Sequence, residues 1–169
     1  MIGEELFGPP AIAARVRELG ACITRDYAGR VPVFIGILNA AATFLADLTR
    51  AVAIPAQFDA IAVTKFNDVE GIRFTKDTSA SIEGRDVILV DDTIDTGMTL
   101  QYVLKTLGAR SPASLAVCTL LDRPARRIAD IEVKYTGFEI PDVYVVGYGL
   151  DYRGRYRELQ GLHAHGTWP

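Results

Sequence analysis

The sequence predicts an α/β fold, with a parallel central sheet, helices on both faces and a small β-rich hood. Three observations carry this. Short runs that are apolar throughout, such as Val33–Leu38 and Val87–Val90, suit strands buried on both faces. Segments with apolar residues at steps of three and four alternate with them, as amphipathic helices do. That alternation calls for parallel strands joined by crossover helices.

Ile12, Val16, Leu19 and Ile23 share one helical face, with Gly20 interrupting the pattern. The strand at Val33–Leu38 follows, then a helix with Phe44, Leu48 and Val52 on one stripe. Strands are expected at about Ala60–Val63 and at Val87–Val90. Leu100, Val103, Leu104 and Leu107 mark a further helix, stopped by Gly108. Next come a strand at Ser114–Leu121 and others near Ile131–Tyr135 and Val143–Val146. From Ile131 onward helix signals are few, so this part reads as a small hood or edge element added to the sheet.

A chain of 169 residues favours a single domain, its core spanning about residues 10–160, and is long enough to need no staples. No apolar run reaches the roughly 18 residues a membrane helix needs. The opening segment, with its acids and prolines, does not resemble a signal peptide. Cys22 and Cys118 lie in apolar-patterned segments and read as free core thiols in a reducing compartment, which points to the cytoplasm. A net charge of −3 argues against a nucleic-acid partner. It leaves room for a small anionic substrate, which backbone N–H groups and a metal can hold.

The segment from Val87 to Leu100 holds most of the chemical information. Four apolar residues end at Asp91 and Asp92; Asp95 follows three residues later, then Thr96, Gly97, Met98 and Thr99 lead into a helix. Adjacent carboxylates at the end of a buried strand repel each other and lose solvation. A divalent cation or a polyhydroxyl ligand offsets that cost. The turn after them offers a glycine, two hydroxyls and the free N–H groups of a helix start, a cradle for a monophosphate. A plain strand–helix loop with Asp95 or Thr96 as helix cap explains any one of these residues but not the whole string. A receiver-type phosphorylation domain shares the acidic pair but has no use for the Thr-Gly-x-Thr cradle. No Walker string occurs, and Gly147-Tyr148-Gly149 lacks the third glycine and following helix of a dinucleotide fingerprint.

This string resembles the 5-phosphoribosyl pyrophosphate (PRPP) motif of type I phosphoribosyltransferases. Ser81–Asp86, Pro112–Ser114 running through Leu120–Pro124, Val133–Tyr152 and Tyr156-Arg157 are similar to the hypoxanthine-guanine branch. The resemblance spans about Ile12 to Leu159. It implies transfer of the phosphoribosyl group from PRPP to a 6-oxopurine, with Mg²⁺, giving a purine nucleoside monophosphate and pyrophosphate in purine salvage. It also implies a homodimer or homotetramer. By the same resemblance Asp91 and Asp92 face the ribose hydroxyls and Mg²⁺, and Asp95 is the general base or acid at purine N7. Thr96, Gly97, Met98 and Thr99 hold the 5′-phosphate. Arg123 reaches the exocyclic oxygen of the base, Tyr144 stacks on its ring and Val145 touches it through the backbone. Asp151 serves a second metal, while Asn39, Ala40 and Arg157 meet pyrophosphate.

Simpler readings stand beside these. Tyr144 can be a half-buried strand residue, Arg157 a solvated charge, and Arg123 one member of a basic surface run. His163 and His165 read as part of a polar tail. The chain also departs from its branch. Asn39-Ala40 stands where Lys-Gly is usual, Arg123 where Lys is usual, and Lys65-Phe66 where Ser-Tyr opens a flap. That flap, Phe66–Thr75, is about four residues short, and Lys65 is a candidate to replace the charge missing at Asn39. A homologue with a changed acceptor base, and a PRPP- or nucleotide-binding protein with weak or lost catalysis, therefore stand as alternatives.

Overall fold

The structure, a computed structural model, describes residues 2–65 and 71–166. The elements run β1 Ile2–Phe7, α1 Pro9–Asp26, β2 Val33–Leu38, α2 Ala42–Ala51, β3 Gln57–Lys65, β4 Ile72–Lys76 and β5 Asp86–Ile94. They continue with α3 Met98–Gly108, β6 Ser114–Asp122, a 3₁₀ turn at Pro124–Arg126, β7 Tyr135–Glu139, β8 Tyr144–Val146 and β9 Leu162–His165. Six strands form the central sheet in the order β4-β3-β2-β5-β6-β7, all parallel except for the antiparallel β3–β4 pair. The hood is a separate antiparallel sheet, β1-β9-β8.

The period-two alternation of the apolar strands decides which helix covers which face. Phe34, Ile88, Val90, Cys118 and Leu120 point to one side, where Ile12, Val16, Leu19 and Ile23 of α1 pack together with Phe44, Leu45 and Leu48 of α2. Val33, Ile35, Ile37, Val87 and Leu89 point to the other, against Leu100, Val103 and Leu107 of α3. Cys118 is buried, and burial pushes its thiol up; Cys22 is half-buried, and both are free. Among the described residues no helix is long and apolar enough to cross a membrane.

The expected elements are present, with shifted boundaries. The strand expected near 131–135 begins at Tyr135, and Ile131 and Val133 instead pack from the preceding loop against the α3 side of the core. β5 runs past Val90 to Ile94 because its pairing with β6 continues to Ile94–Asp122. The acidic pair is therefore part of the strand's end rather than of a turn after it. The residues read as a polar tail form β9, and the acidic opening segment forms β1. Both gain order from pairing with each other, which local pattern does not show. Residues 66–70 of the expected flap, with the Phe66 substitution, and the Lys65 side chain lie outside what is described.

Gly20, the irregularity in α1, has a packing reason. A Cβ there would stand 2.5 Å from the Ala51 carbonyl oxygen at the end of α2. Gly108 closes α3 with nothing within 4 Å of a built Cβ. Gly20→Ala is therefore expected to destabilise, since overpacking costs about 1–3 kcal/mol and helix propensity returns at most about 1. Gly108→Ala is expected to stabilise by up to about 1 kcal/mol. Urea unfolding of the two variants should move in opposite directions; equal shifts would remove the steric account of Gly20.

Candidate active site

β2 and β5 pair in parallel from Val33–Val87 to Gly36–Val90 and then separate. Beyond that point β2 stays with β3 as far as Leu38–Ala62, while β5 stays with β6. The chain switches sides here: α2 leads from β2 to one side and α3 leads from β5 to the other. Such a switch leaves a crevice at the carboxyl ends of the strands. Asn39 and Ala40 leave β2 on one wall of this crevice, and on the other stand Asp91 and Asp92, within the end of β5, and Asp95 just beyond it.

Two cavities open from the crevice and share Thr93 and Asp95. One, of about 150 Å³, is lined by Ala40, Asp92, Arg123, Tyr144, Val145 and Asp151 as well. The second, of about 450 Å³, is lined by Asp91, Thr96, Gly97, Thr99 and Arg126. The expected purine, metal and phosphate residues thus converge from β5, the α3 start, the end of β6 and the hood. Met98, Asn39 and Arg157, which lines a separate cavity with Asp47 and Tyr148, are the exceptions. Met98 is about half exposed at the helix start, and Asn39 is exposed beside Ala40 rather than lining either cavity.

The cradle is built by backbone. Gly97 caps α3 with φ +82°, a left-handed conformation that glycine adopts without steric cost. The first-turn amides of a helix have no carbonyl partner within it; the capping residue, Gly97, has no side chain to offer, and the Met98 amide reaches Thr96 Oγ1 at 3.4 Å. Behind the turn, the amides of Ile128 and Ala129 both donate to the Thr96 carbonyl at 2.9 Å. Arg127 is locked in place by two hydrogen bonds to Asp122 at 2.6 and 2.7 Å. These contacts make the cradle and the segment after β6 one rigid piece.

Charge is arranged around three groups of carboxylates. Burial, and then the adjacent Asp92 charge, hold the Asp91 carboxyl well above the usual carboxylate range. Burial raises Asp92 as well, and the Arg157 charge works against that rise. Asp95 meets Arg126 Nε through Oδ1, with Arg123 Nη1 at 3.9 Å from the same oxygen. Arg123 is only 4% exposed, so burial lowers its guanidinium pKa and Asp95 opposes the change. Asp151 holds Arg157 Nη2 at 2.7 Å and accepts the Gly154 amide at 2.6 Å. Neither Arg123 nor Arg157 is a freely solvated charge.

Hood residues complete the smaller cavity. The Tyr144 hydroxyl donates to the Asp151 carbonyl at 2.7 Å. Edge-on contacts with Tyr152 and His165 hold the Tyr144 ring from two sides, and His165 itself stacks on Tyr152 at 4.2 Å. His165 is thus a buried support for Tyr144, paired with it across β8–β9. Gly149 brings the two expected pyrophosphate elements together. Its carbonyl accepts Arg157 Nη1 at 2.7 Å, and a Cβ on it would lie 2.5 Å from the Ala40 carbonyl oxygen. Ala40 is not among the residues with positive φ, so this position does not demand glycine.

Sequence reasoning missed Arg126, which lies in the basic run after β6. Three arginines in five residues at the carboxyl end of a central strand were the available signal, but their directions are set by the 3₁₀ turn.

Comparison with known proteins agrees with this geometry. Residues 3–153 match the model of the phosphoribosyl transferase domain. The chain is similar to hypoxanthine phosphoribosyltransferase of Salmonella typhimurium, 44% identical over 154 residues, 88% of this chain and 86% of the relative. It is also similar to hypoxanthine-guanine phosphoribosyltransferase of Bacillus subtilis, 39% identical over 162 residues, 94% of this chain and 90% of the relative. Among solved structures, hypoxanthine phosphoribosyltransferase from Trypanosoma cruzi in complex with the product IMP superposes with a TM-score of 0.93. That match has 34% identity and covers 96% of this chain and 94% of that one.

The acidic pair makes a prediction about the ligand-free protein. A carboxyl whose folded pKa is raised contributes most to stability below its unfolded value, near 3.9, and that contribution is lost as pH rises through the folded value. Asp91→Asn should therefore raise the unfolding temperature at pH 7, with a gain that shrinks toward pH 4. Thermal unfolding across this range checks it; a gain independent of pH would show that repulsion and desolvation at Asp91 are not its source.

Proposed function

Because the chain belongs to the phosphoribosyl transferase domain family, we propose that it transfers the 5-phosphoribosyl group of PRPP to a 6-oxopurine, hypoxanthine or guanine. The products are the purine nucleoside monophosphate and pyrophosphate, and the reaction serves purine salvage. The observation that carries this reading is the pair of cavities meeting at Asp95, one with a purine-sized polar and aromatic lining, the other with a helix-start cradle.

The purine enters between Tyr144 and the Arg123 guanidinium, with Val145 touching its edge. Arg123 donates to the exocyclic oxygen, and its low exposure keeps that interaction strong. The 5′-phosphate occupies Thr96–Thr99. As purine N9 forms its bond to C1′ of the ribose, the bond from C1′ to pyrophosphate breaks and positive charge develops on the sugar. Asp95, standing between the two cavities, moves the proton at N7 and faces that charge. Asp91 and Asp92 take the ribose hydroxyls.

The same pair suits Mg²⁺. Two desolvated carboxylates whose ionisation is disfavoured regain full charge beside a dication, and Mg²⁺ sites typically use one or two carboxylates plus substrate oxygens. Asp151, with both oxygens engaged by Arg157 and Gly154, retains lone pairs for a second ion. When bound, Mg²⁺ neutralises charge on the leaving pyrophosphate. Arg157 and the Asn39-Ala40 loop meet that group, brought together at Gly149. The whole chain acts as one phosphoribosyltransferase domain. Association into a homodimer or homotetramer belongs to the same reading, supported by an apolar groove of about 540 Å³ beside the exposed Phe58.

Offered PRPP, Mg²⁺ and each of hypoxanthine, guanine, xanthine, adenine and uracil, the protein should release pyrophosphate with the first two. Release only with adenine or uracil, or with none, would overturn the reading. Asp95→Asn should lower turnover by about 10²-fold or more with PRPP affinity largely kept; unchanged turnover would remove Asp95 from the chemistry. Asn39→Lys is expected to tighten pyrophosphate binding by adding a charge-assisted contact. Ala40→Gly alone should change it little, since Ala40 has an ordinary φ. Equal effects of the two, read by calorimetry, would contradict this division.

A further inference from the structure

We propose that Arg126 is the cation of the 5′-phosphate cradle and couples that cradle to Asp95. The proposal rests on the phosphoribosyl reading above and adds a residue to it.

The electrostatics of the larger cavity call for such a group. A phosphomonoester carries about −1.5 to −2 charges near neutral pH. The start of α3 supplies roughly half a positive charge. Thr96, Gly97 and Thr99 add hydroxyls and amides, and Met98 adds a thioether, so the turn itself brings no full charge. Asp91 and Asp95 line the same cavity and oppose an anion. Among the described residues lining it, Arg126 is the only basic one.

The local fold directs this arginine alone to that place. Of the three arginines after β6, Arg123 is buried on the purine side and Arg127 is committed to Asp122 by two hydrogen bonds. Arg126 ends the 3₁₀ turn, donates through Nε to Asp95 Oδ1 and reaches Asp142 from Nη1 at 3.4 Å. Its side chain is one-third exposed, so it opens onto the cavity rather than being sealed in the core. The Ile128 and Ala129 amides strap this segment to Thr96, which keeps Arg126 at a set distance from the cradle. A guanidinium has five N–H donors in a fork, enough to hold a carboxylate and a phosphate together. Filling the phosphate subsite therefore draws on the same positive charge that Asp95 uses, and links the occupied cradle to the group at purine N7.

The test compares inosine 5′-monophosphate with inosine, measured by calorimetry or competition, so that the phosphate's contribution is read as a ratio of affinities. In Arg126→Gln the monophosphate's advantage should fall by about 10–100-fold, the usual worth of a charge-assisted contact. Arg126→Lys, which keeps the charge without the fork, should fall between Gln and the unaltered protein. Asp95→Asn should keep or widen the advantage, because it removes a repelling charge. Unfolding midpoints of all three variants establish that they are folded. An unchanged ratio in Arg126→Gln overturns the proposal, as does an equal loss in Asp95→Asn, which would mean that Arg126 acts only through Asp95. If the unaltered protein itself fails to prefer the monophosphate, the phosphoribosyl reading fails and this inference falls with it. A preference that survives undiminished in Arg126→Gln spares the former and sinks the latter.

Discussion

β2 and β5 share a ladder for four residue pairs and then part at Gly36–Val90. The site depends on that parting. Up to this point each strand's polar backbone is satisfied by its neighbour, and side chains alternate between the two helix-covered faces. Past it, β5 is held only by β6, so its outer edge borders a crevice rather than a strand. Asp91 and Asp92 stand at this edge, largely buried and poorly solvated. A strand ending at Val90 would have placed them in a mobile turn. Pairing on one side only holds the acids in a fixed position while leaving them open to a ligand.

Around the crevice, nearly every arginine is held on a carboxylate: Arg126 and Arg123 at Asp95, Arg157 on Asp151, and Arg127 on Asp122. The Asp122–Arg127 pair is structural and fixes the loop. The others face cavities. Without anionic ligands, the carboxylates keep these arginines from being isolated charges in partly buried surroundings, which would be costly. In the proposed reaction, phosphate groups give the same arginines better partners, and the acids turn to hydroxyls, a proton or a cation. The acidic pair lacks this arrangement. Of its two acids Arg157 acts on Asp92 alone, and burial leaves both carboxyls raised. The unevenness marks where a ligand's positive charge is most needed.

Much of this was legible in the sequence, for physical reasons. A buried strand running into paired acids is costly unless something uses them, so the string from Val87 to Thr99 signalled its chemistry. Helical faces and apolar runs located the sheet and its covering helices. What escaped was long-range. Ile2–Phe7 has two acids among its few residues, and Leu162–His165 has two histidines; neither reads as a strand until each has the other as neighbour. The end of β5 depended on pairing with β6 rather than on its own composition. Arg126 was hidden for a similar reason. Spacing says that three arginines are close in the chain, but the 3₁₀ turn decides that one is buried, one is bonded to Asp122 and one reaches Asp95.

The hood shows how far the site's support extends. Tyr144 and Val145 lie on β8, an edge strand of three residues, too short to be stable by itself. β8 is held by β9, and β9 by β1, so residues at the two ends of the chain carry the wall of the smaller cavity. Phe7 ends β1 and stacks on Phe138 of β7 at 4.0 Å, tying the hood back to the central sheet. Behind Tyr144, His165 and Tyr152 fill the space that would otherwise let the ring rotate. In the proposed reading this ring stacks on a flat base, and having its plane fixed beforehand avoids the affinity cost of freezing it on binding. The sequence beyond Tyr156 is therefore more than a tail on a finished domain. It keeps the Tyr144 ring in place in the cavity it lines with Arg123, and without it that cavity would have residues but no fixed geometry.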